Sequence, residues 1–358
     1  MLVGRKDRVV VAMSGGVDSS VAALLLVRAG YDVVGISMRL WSYEREATHG
    51  CCTPEDLQDA RKVADLLGIP HYVANFEKTF ERHVIDNFVQ SYQVGETPNP
   101  CIRCNQDVKF STLLVRAKEL GAQYLATGHY ARKEKVGGRY QLLRAVEQSR
   151  DQSYFLYGVT QEELKMLLFP IGHLPKSEVR RLATEAGLPV ADKQDSQEIC
   201  FVPDDYVSFV EKKVESQNRC PGRLVSEAGE ELGRHEGIHR FTVGQRKGLG
   251  LPALQARYVL DVRSDGTVVV GSEADLYKCQ FELREPRWVE NAPQEGENFD
   301  VKIRSRFEPA SAKVETVMDG RIVVRFASPQ RAITPGQAAV FYRGDAVVGG
   351  GWIDRVLG

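Results

Sequence analysis

No long hydrophobic run is present in this sequence. No stretch approaches the roughly 20 apolar residues that span a bilayer, and the opening Met-Leu-Val-Gly-Arg-Lys-Asp-Arg lacks a signal-peptide core. A membrane partner is therefore not expected, and a cytoplasmic location is. Neither sign of charge is in excess: 47 Lys and Arg meet 48 Asp and Glu, for a net charge of −1. No global basicity advertises a nucleic acid, so any RNA site has to be a local patch. Low-complexity tracts and long-period repeats are also missing, which excludes solenoids and fibrous chains. Cysteine is sparse and odd in number, with seven at Cys51, Cys52, Cys101, Cys104, Cys200, Cys220 and Cys279. Such a set argues against a structural disulfide framework and leaves metal, redox or nucleophilic roles for some of them.

The 358 residues suffice for two or three domains with proper cores, and 43% hydrophobic content is that of a soluble globular chain. The organising stretch is Val9-Val10-Val11-Ala12-Met13-Ser14-Gly15-Gly16-Val17-Asp18-Ser19-Ser20, ahead of an apolar run from Val21 to Val27. It reads as buried strand, tight turn and helix start. Paired glycines let the backbone approach an anion, and the N–H groups opening the helix point at it with the dipole behind them. A Walker loop needs Lys-Ser or Lys-Thr after its last glycine, and none is here. Attack on an α-phosphate with the pyrophosphate gripped is thus favoured over γ-phosphoryl transfer. The segment resembles the Ser-Gly-Gly-x-Asp-Ser signature of the PP-loop ATP pyrophosphatases; glycine pairs in tight strand-to-helix turns also occur in proteins that bind no nucleotide.

Strands are expected at Asp32–Met38, His71–Ala74 and Tyr124–Ala126. Helices are expected from Thr53-Pro54-Glu55-Asp56 to about Leu67, over Thr79–Val89, over Phe110–Leu120, and from Pro175-Lys176 to near Gly187. This alternation predicts an α/β fold with a doubly wound parallel sheet, whose ligands bind at the carboxyl ends of the strands. Met38 ends the second strand and is expected to flank an adenine, although a core methionine has the same signature. A second motif, Glu96-Thr97-Pro98-Asn99-Pro100-Cys101-Ile102-Arg103-Cys104-Asn105, reads as a proline-fixed loop from Gly95 to Gln106 that exposes a thiol beside Arg103 and Lys109. Half of a zinc site is the competing reading, without a second pair at finger spacing. Thr127-Gly128-His129-Tyr130 follows a strand; Gly128 gives a nucleotide room, and His129 serves a substrate or packs. The third motif, Asp192-Lys193-Gln194-Asp195-Ser196-Gln197-Glu198-Ile199-Cys200-Phe201, sets Cys200 in a polar loop, where a thiol is reactive more readily than in an apolar core. Beyond Tyr206 the rhythm stops. A helix to about Val214, a loop-rich piece including Gly233 to Arg240, and the basic, glycine-rich Phe241–Gly250 precede alternating strands from about Arg284. Hairpin turns at Asp319-Gly320 and Gly344-Asp345 there signal a small β-barrel. The expected domains are 1–205, 206–280 and 281–358.

An α-phosphate-directed loop with two separated reactive cysteines suggests replacement of oxygen by sulfur. Together, Ser14-Gly15-Gly16-Val17-Asp18-Ser19, Thr97-Pro98-Asn99-Pro100 with Cys104-Asn105, Ala126-Thr127-Gly128-His129-Tyr130, Asp151-Gln152-Ser153-Tyr154-Phe155-Leu156, Ile199-Cys200-Phe201, Thr242 with Gly244-Gln245-Arg246-Lys247-Gly248-Leu249-Gly250, and Pro335-Gly336-Gln337 resemble the tRNA-specific 2-thiouridylases of the MnmA type. The resemblance implies an adenine nucleotide alpha hydrolase-like PP-loop domain, a small central domain and a C-terminal β-barrel. It also implies 2-thiolation of the wobble uridine of glutamate, glutamine and lysine tRNAs, with ATP and Mg2+ near Asp18. Ala12, Met13, Ser14, Gly15, Gly16, Val17, Asp18, Ser19, Met38 and Gly128 would bind ATP. Cys200 would carry a persulfide from a cysteine desulfurase or sulfur-relay protein. Cys104 would release the sulfur by forming a disulfide with Cys200 or would assist attack on C2. Asn99, Pro100, Cys101, His129, Arg150, Asp151, Gln152, Arg304, Ser305 and Gln337 would line the RNA path around a flipped uridine.

Two positions depart from the family pattern. Many members carry Asp where this chain has Cys101, and Tyr where it has Ser305. The first removes a general base; the second removes a stacking surface. Cys101, Cys104 and Cys200 could instead ligate an iron–sulfur cluster. Other readings are another PP-loop activity, 4-thiouridine or lysidine formation, or a non-catalytic RNA- or metal-binding module.

Overall fold

The computed structural model describes residues 6–41, 53–195, 199–202, 205–214, 221–252, 256–318 and 320–357. Cys51, Cys52, Cys220, Asp319 and the Ser196-Gln197-Glu198 part of the third motif lie outside the described residues. The chain forms two compact units. The first comprises Met1–Val84, Cys101–Pro203 and Asp345–Val347; the second comprises Ile85–Pro100, Asp204–Gly344 and Val348–Gly358.

The first unit is built on β1 (Arg8–Ala12), whose Val9, Val10 and Val11 are wholly buried, as a central parallel strand requires. β1 is flanked by β2 (Asp32–Arg39) and β4 (Tyr124–Ala126), with β3 (His71–Asn75) and β7 (Leu167–Leu168) at the edges. The order β3-β2-β1-β4-β7 is parallel throughout, with Ala12 opposite Ile36 and Val11 opposite Ala126. Chain direction across the sheet reverses between β1 and β4, so a crevice opens beyond their carboxyl ends. Helix α1 (Val17–Arg28) buries Val17, Val21, Ala22, Ala23, Leu24 and Leu26 in the core that also takes Ala60 and Val63 from helix α2 (Pro54–Leu67). Each Val or Leu sealed there contributes about 1.5–3 kcal/mol. The antiparallel hairpin β5 (Ala131–Val136) and β6 (Arg139–Arg144) turns at Gly137-Gly138, both at positive φ.

One sequence expectation changes here. The stretch read as a loop from Gly95 to Gln106 is helical from Pro100, with an α turn over Pro100–Arg103 and a π segment over Cys104–Leu113. Pro100 takes the first helical position, where its missing N–H costs nothing, so the second proline starts a helix instead of stiffening a loop.

In the second unit, β8 (Gly222–Ser226), β9 (Glu231–His235), β10 (Tyr258–Val262) and β11 (Thr267–Gly271) form a four-stranded sheet in the order β10-β11-β8-β9. Part of the piece read as loop-rich is thus strand β9, with Gly222 to Val225 as its antiparallel partner. β12 (Tyr277–Trp288), β13 (Asn298–Lys302), β14 (Ala310–Met318), β15 (Arg321–Arg331), β16 (Ala338–Arg343) and β17 (Ala346–Leu357) run in the order β12-β15-β14-β13-β16-β17. The β12–β17 pairing closes them into a six-stranded barrel. Its interior holds Phe281, Leu283, Val301, Val314, Val324 and Phe341.

Helix α2 has a full capping box: Thr53 Oγ1 accepts from the Asp56 N–H at 3.2 Å, and Asp56 Oδ2 accepts from the Thr53 N–H at 2.9 Å. Thr53→Ala is expected to destabilise the first unit by about 1 kcal/mol in denaturant unfolding.

Candidate active site

A cavity of about 290 Å³ lies at the β1–β4 crevice, lined by Ala12, Met13, Ser14, Gly16, Val17, Asp18, Ser19, Met38, Gly128 and His129 among others. Its floor is the start of α1. Gly16 is the N-cap and offers no side chain, so the first-turn amides receive no side-chain cap. The neighbouring hydroxyls turn elsewhere. Ser19 and Ser20 Oγ both donate to the Gly16 carbonyl, at 3.1 and 2.8 Å, and Ser19 Oγ accepts from the Ser14 N–H at 3.2 Å. The helix start is left for an anion, as a phosphate-binding turn requires.

Two glycines make this turn sterically possible. Gly15 sits at φ +77°, and a Cβ there would stand 2.2 Å from the Asp56 carbonyl oxygen. At Gly128 a Cβ would meet the Ser19 nitrogen at 2.6 Å and the Asp18 carbonyl carbon at 2.8 Å. The turn after β4 therefore lies directly against the first turn of α1. Met13, just past the β1 ladder, is also pinned: its N–H donates to the Ile36 carbonyl at 2.8 Å, and its own carbonyl accepts from the buried Ser37 hydroxyl at 2.7 Å. With its hydrogen committed, Ser37 Oγ accepts from His71 Nε2 at 2.9 Å. Burial, then Arg61, holds the His71 imidazole below its ordinary pKa.

A carboxylate in the first turn, Asp18, would by itself compete with a bound anion for the helix dipole. Lys176 neutralises it, donating from Nζ to both Asp18 oxygens at 2.8 and 2.9 Å and to Asp195 Oδ1 at 2.7 Å. The Tyr130 hydroxyl donates to Asp18 Oδ1 at 2.8 Å. Burial first, then Asp18, raises the Tyr130 pKa well above its ordinary value, so the phenol stays a donor. Burial alone would raise Asp195, but Lys176, Arg150 and Arg180 outweigh it and hold its carboxyl below the usual range. Asp56 is paired similarly, with Lys193 Nζ at 2.7 Å. Magnesium usually keeps several waters and takes one or two carboxylates. The carboxylate expected to receive it, Asp18, already has both oxygens engaged. Among the described residues, no group of three His, Cys, Asp or Glu is arranged to hold a metal ion, so Cys101, Cys104 and Cys200 are not gathered into a ligand set.

His129 lines the cavity with Nδ1 at 2.9 Å from Thr127 Oγ1. Burial, then Lys109, holds its imidazole well below the ordinary value, so it is neutral at pH 7. Gln152 lines the cavity too; its Oε1 accepts from the Tyr130 N–H at 2.8 Å. Arg150 reaches Asp195 at 2.8 Å, and Asp151 braces the turn by accepting from the N–H groups of Ala145 and Ser153. The cysteines do not line the cavity. Cys104 is buried at the start of the π segment, Cys101 is exposed one turn earlier, and Cys200 is half-buried in a turn closed by the Val202 N–H to the Ile199 carbonyl at 3.1 Å. Phe201 anchors that turn edge-on against Phe80. Next to Cys104, Asn105 Nδ2 donates to the Phe155 carbonyl at 3.1 Å, and the buried amide of Gln106 has no hydrogen-bond partner among the described residues.

The second unit holds Asn99, Pro100, Arg304, Ser305 and Gln337. Gln337 Nε2 donates to the Thr97 and Pro98 carbonyls at 2.9 and 3.3 Å, and Arg304 donates to the Ala332 carbonyl and to Thr334 Oγ1. A larger cavity of about 530 Å³ in this unit, among Val94, Leu260, Val262 and Asp354, is lined by no Cys, His or Ser.

A family profile described as tRNA methyl transferase HUP domain matches residues 7–204. Two others, a tRNA methyl transferase PRC-barrel domain and an aminomethyltransferase beta-barrel domain, match 207–272 and 278–353. Among curated proteins, the tRNA-specific 2-thiouridylase MnmA of Geobacter metallireducens is 50% identical over 361 residues, covering 98% of each chain. Those of Geotalea uraniireducens and Chloroflexus aurantiacus are 48% and 49% identical, covering 99% and 97% of this chain and 96% and 98% of theirs. The chain belongs to the tRNA-specific 2-thiouridylases. For this 2-thiouridylase, the sequence reading left Lys176, Tyr130, Asp195 and Lys193 without roles at the cavity, and gave Lys109 to the thiol and Asp56 to a helix start instead. Only Lys176 left a trace: it opens the buried stripe Lys176, Val179 and Ala183 of an otherwise amphipathic helix.

Gly128→Ala is expected to weaken ATP binding about tenfold in calorimetry, roughly 1.4 kcal/mol, because backbone of α1 has to move. The pH dependence follows from His129 and His71, both depressed in the fold. Below about pH 6.5 the unfolded chain takes up protons that the native one refuses, so stability is complete above that value and falls as pH drops. The thermal midpoint is expected to fall from pH 7 to pH 5.5, with a shallower slope in His129→Gln.

Proposed function

We propose that this 2-thiouridylase converts the wobble uridine of glutamate, glutamine and lysine tRNAs to 2-thiouridine, with ATP consumed to AMP and pyrophosphate. The uncapped α1 start facing the cavity, in the same unit as Cys104 and Cys200, is the observation that carries this reading. All three matched profiles carry methyltransferase or aminomethyltransferase descriptions, but the full-length relatives are 2-thiouridylases, and paired thiols suit sulfur rather than a methyl group.

ATP lies with its phosphates on the Ser14–Ser19 turn and its adenine by Met38, with Lys109, Arg150 and Lys193 offsetting phosphate charge. Uracil O2 attacks the α-phosphate and pyrophosphate leaves. The O2–adenylate makes C2 electrophilic and gives it a good leaving group. Magnesium would neutralise the departing pyrophosphate and would be held mainly by the phosphates and water, because Lys176 already engages both Asp18 oxygens. Cys200 carries a persulfide delivered by a cysteine desulfurase or relay protein. Its terminal sulfur attacks C2 and AMP departs. The Cys104 thiolate then attacks Cys200 Sγ, which releases the sulfur on C2 and joins the two cysteines as a disulfide. His129, Arg150, Asp151 and Gln152 from the first unit, and Asn99, Pro100, Arg304, Ser305 and Gln337 from the second, contact the RNA. Asp151 and Gln337 also brace backbone: Asp151 accepts from the Ala145 and Ser153 N–H groups, and Gln337 donates to the Thr97 and Pro98 carbonyls.

The protein, incubated with ATP, a persulfide donor and unmodified glutamate tRNA, is expected to yield 2-thiouridine on nucleoside analysis. 4-Thiouridine, or no thiolated base with any donor, overturns the reading. Cys104→Ala and Cys200→Ala should each abolish product. Lys176→Met should lower the adenylation rate about 10²-fold, as loss of a preorganised cation does.

A further inference from the structure

The route proposed above, on which this inference rests, ends each turnover with a Cys104–Cys200 disulfide, and no second turnover begins until that bond is reduced. The two sulfurs are poorly placed for a reductant from solution: Cys104 is 8% exposed and Cys200 is half-buried. Cys101 is different. It is exposed, and it precedes Cys104 by three residues on the same helix, in its first turn. Side chains three apart on a helix are neighbours with Cβ atoms about 5–6 Å apart, and cysteines at this spacing at a helix start can bond when the turn adjusts slightly toward disulfide distance. The pair is thus an exposed thiol next to a buried one, the arrangement by which a buried disulfide can be handed to the surface.

We propose that Cys101 is the resolving thiol of this enzyme. Its thiolate attacks Cys104 Sγ. The Cys104–Cys200 bond breaks and its electron pair leaves on Cys200, which becomes a thiolate free to accept the next sulfur. A Cys101–Cys104 disulfide forms, so the exchange has no net oxidation or reduction. An external dithiol then reduces the new disulfide at its exposed Cys101 end and is itself oxidised to a disulfide. Cys101 acts directly on the sulfur of a reacting residue, which makes it a catalytic residue of the regeneration step.

The test is a single turnover of persulfide-loaded enzyme with ATP and tRNA, without reductant, quenched in acid, alkylated and mapped by mass spectrometry. Wild type is expected to contain Cys101–Cys104 with Cys200 alkylated, and Cys101→Ser to contain Cys104–Cys200. On adding a dithiol, recovery of the Cys200 thiol should be about tenfold slower in Cys101→Ser. A wild-type enzyme that retains Cys104–Cys200 overturns the inference and leaves the persulfide route standing. Thiolated tRNA formed with neither disulfide in either protein overturns the persulfide route itself. Stoichiometric iron that shields all three thiols from alkylation also overturns the inference, since Cys101 would then be a ligand.

Discussion

An uncapped helix start is the constraint around which the first unit is arranged. Most helices satisfy their first amides with a Ser, Thr, Asp or Asn side chain; α1 begins on Gly16 and leaves them open. Leaving donors unsatisfied has a cost, so the surrounding residues are chosen not to satisfy them by accident. Ser19 and Ser20 spend their hydroxyl hydrogens on the Gly16 carbonyl, and Asp18 is held by Lys176 and Tyr130. The turn is held from three directions: Gly15 against α2, Gly128 against α1, and the Met13 carbonyl by Ser37 backed by His71. A site preorganised in this way pays little reorganisation when the anion arrives.

The charges around the cavity follow the same logic. Asp18, Asp56 and Asp195 are each matched by a lysine, which makes each acid tolerable beside a polyphosphate. Lys176 serves two of them at once. Its side chain is 8% exposed, and a buried cation is stable only where carboxylates surround it. Removing either aspartate therefore alters the field felt at the other, and through Asp195 the nucleotide turn is linked to the segment that leads toward Cys200.

The β1–turn–α1 unit was legible in the sequence because each of its signals is local: a run of buried valines, two glycines, then helical periodicity. The strand alternation gave the parallel sheet for the same reason. What was not legible is non-local. Lys176 meets Asp18 across 158 residues, and no window on the sequence contains both. The barrel in the second unit was visible as alternation, but its closure depends on β12 meeting β17, which only the fold shows. Helix start and loop share proline as a signal, so Pro98-Asn99-Pro100 pointed as well to a rigid loop as to the helix that begins there. The burial of Cys104 was hidden by that ambiguity, since a loop cysteine is expected to face water and a helical one can face the core.

That burial bears on how two chemistries share one unit. A thiolate able to reach the α-phosphate would itself be a competent nucleophile and would spend ATP without thiolating anything. Cys101, Cys104 and Cys200 all lie off the lining of the nucleotide cavity, whose walls carry hydroxyls, a neutral imidazole and cations instead. In the proposed route, separating the thiols from the phosphate leaves the uridine as the group that meets both, through O2 at one stage and C2 at the next. These atoms are bonded neighbours on one small ring, so a base out of its stack can present the first to the phosphate and the second to sulfur with little displacement. On that route, specificity for a nucleobase would come from geometry: water and the chain's own thiols lack the short, rigid O2–C2 pair that connects the two halves of the reaction.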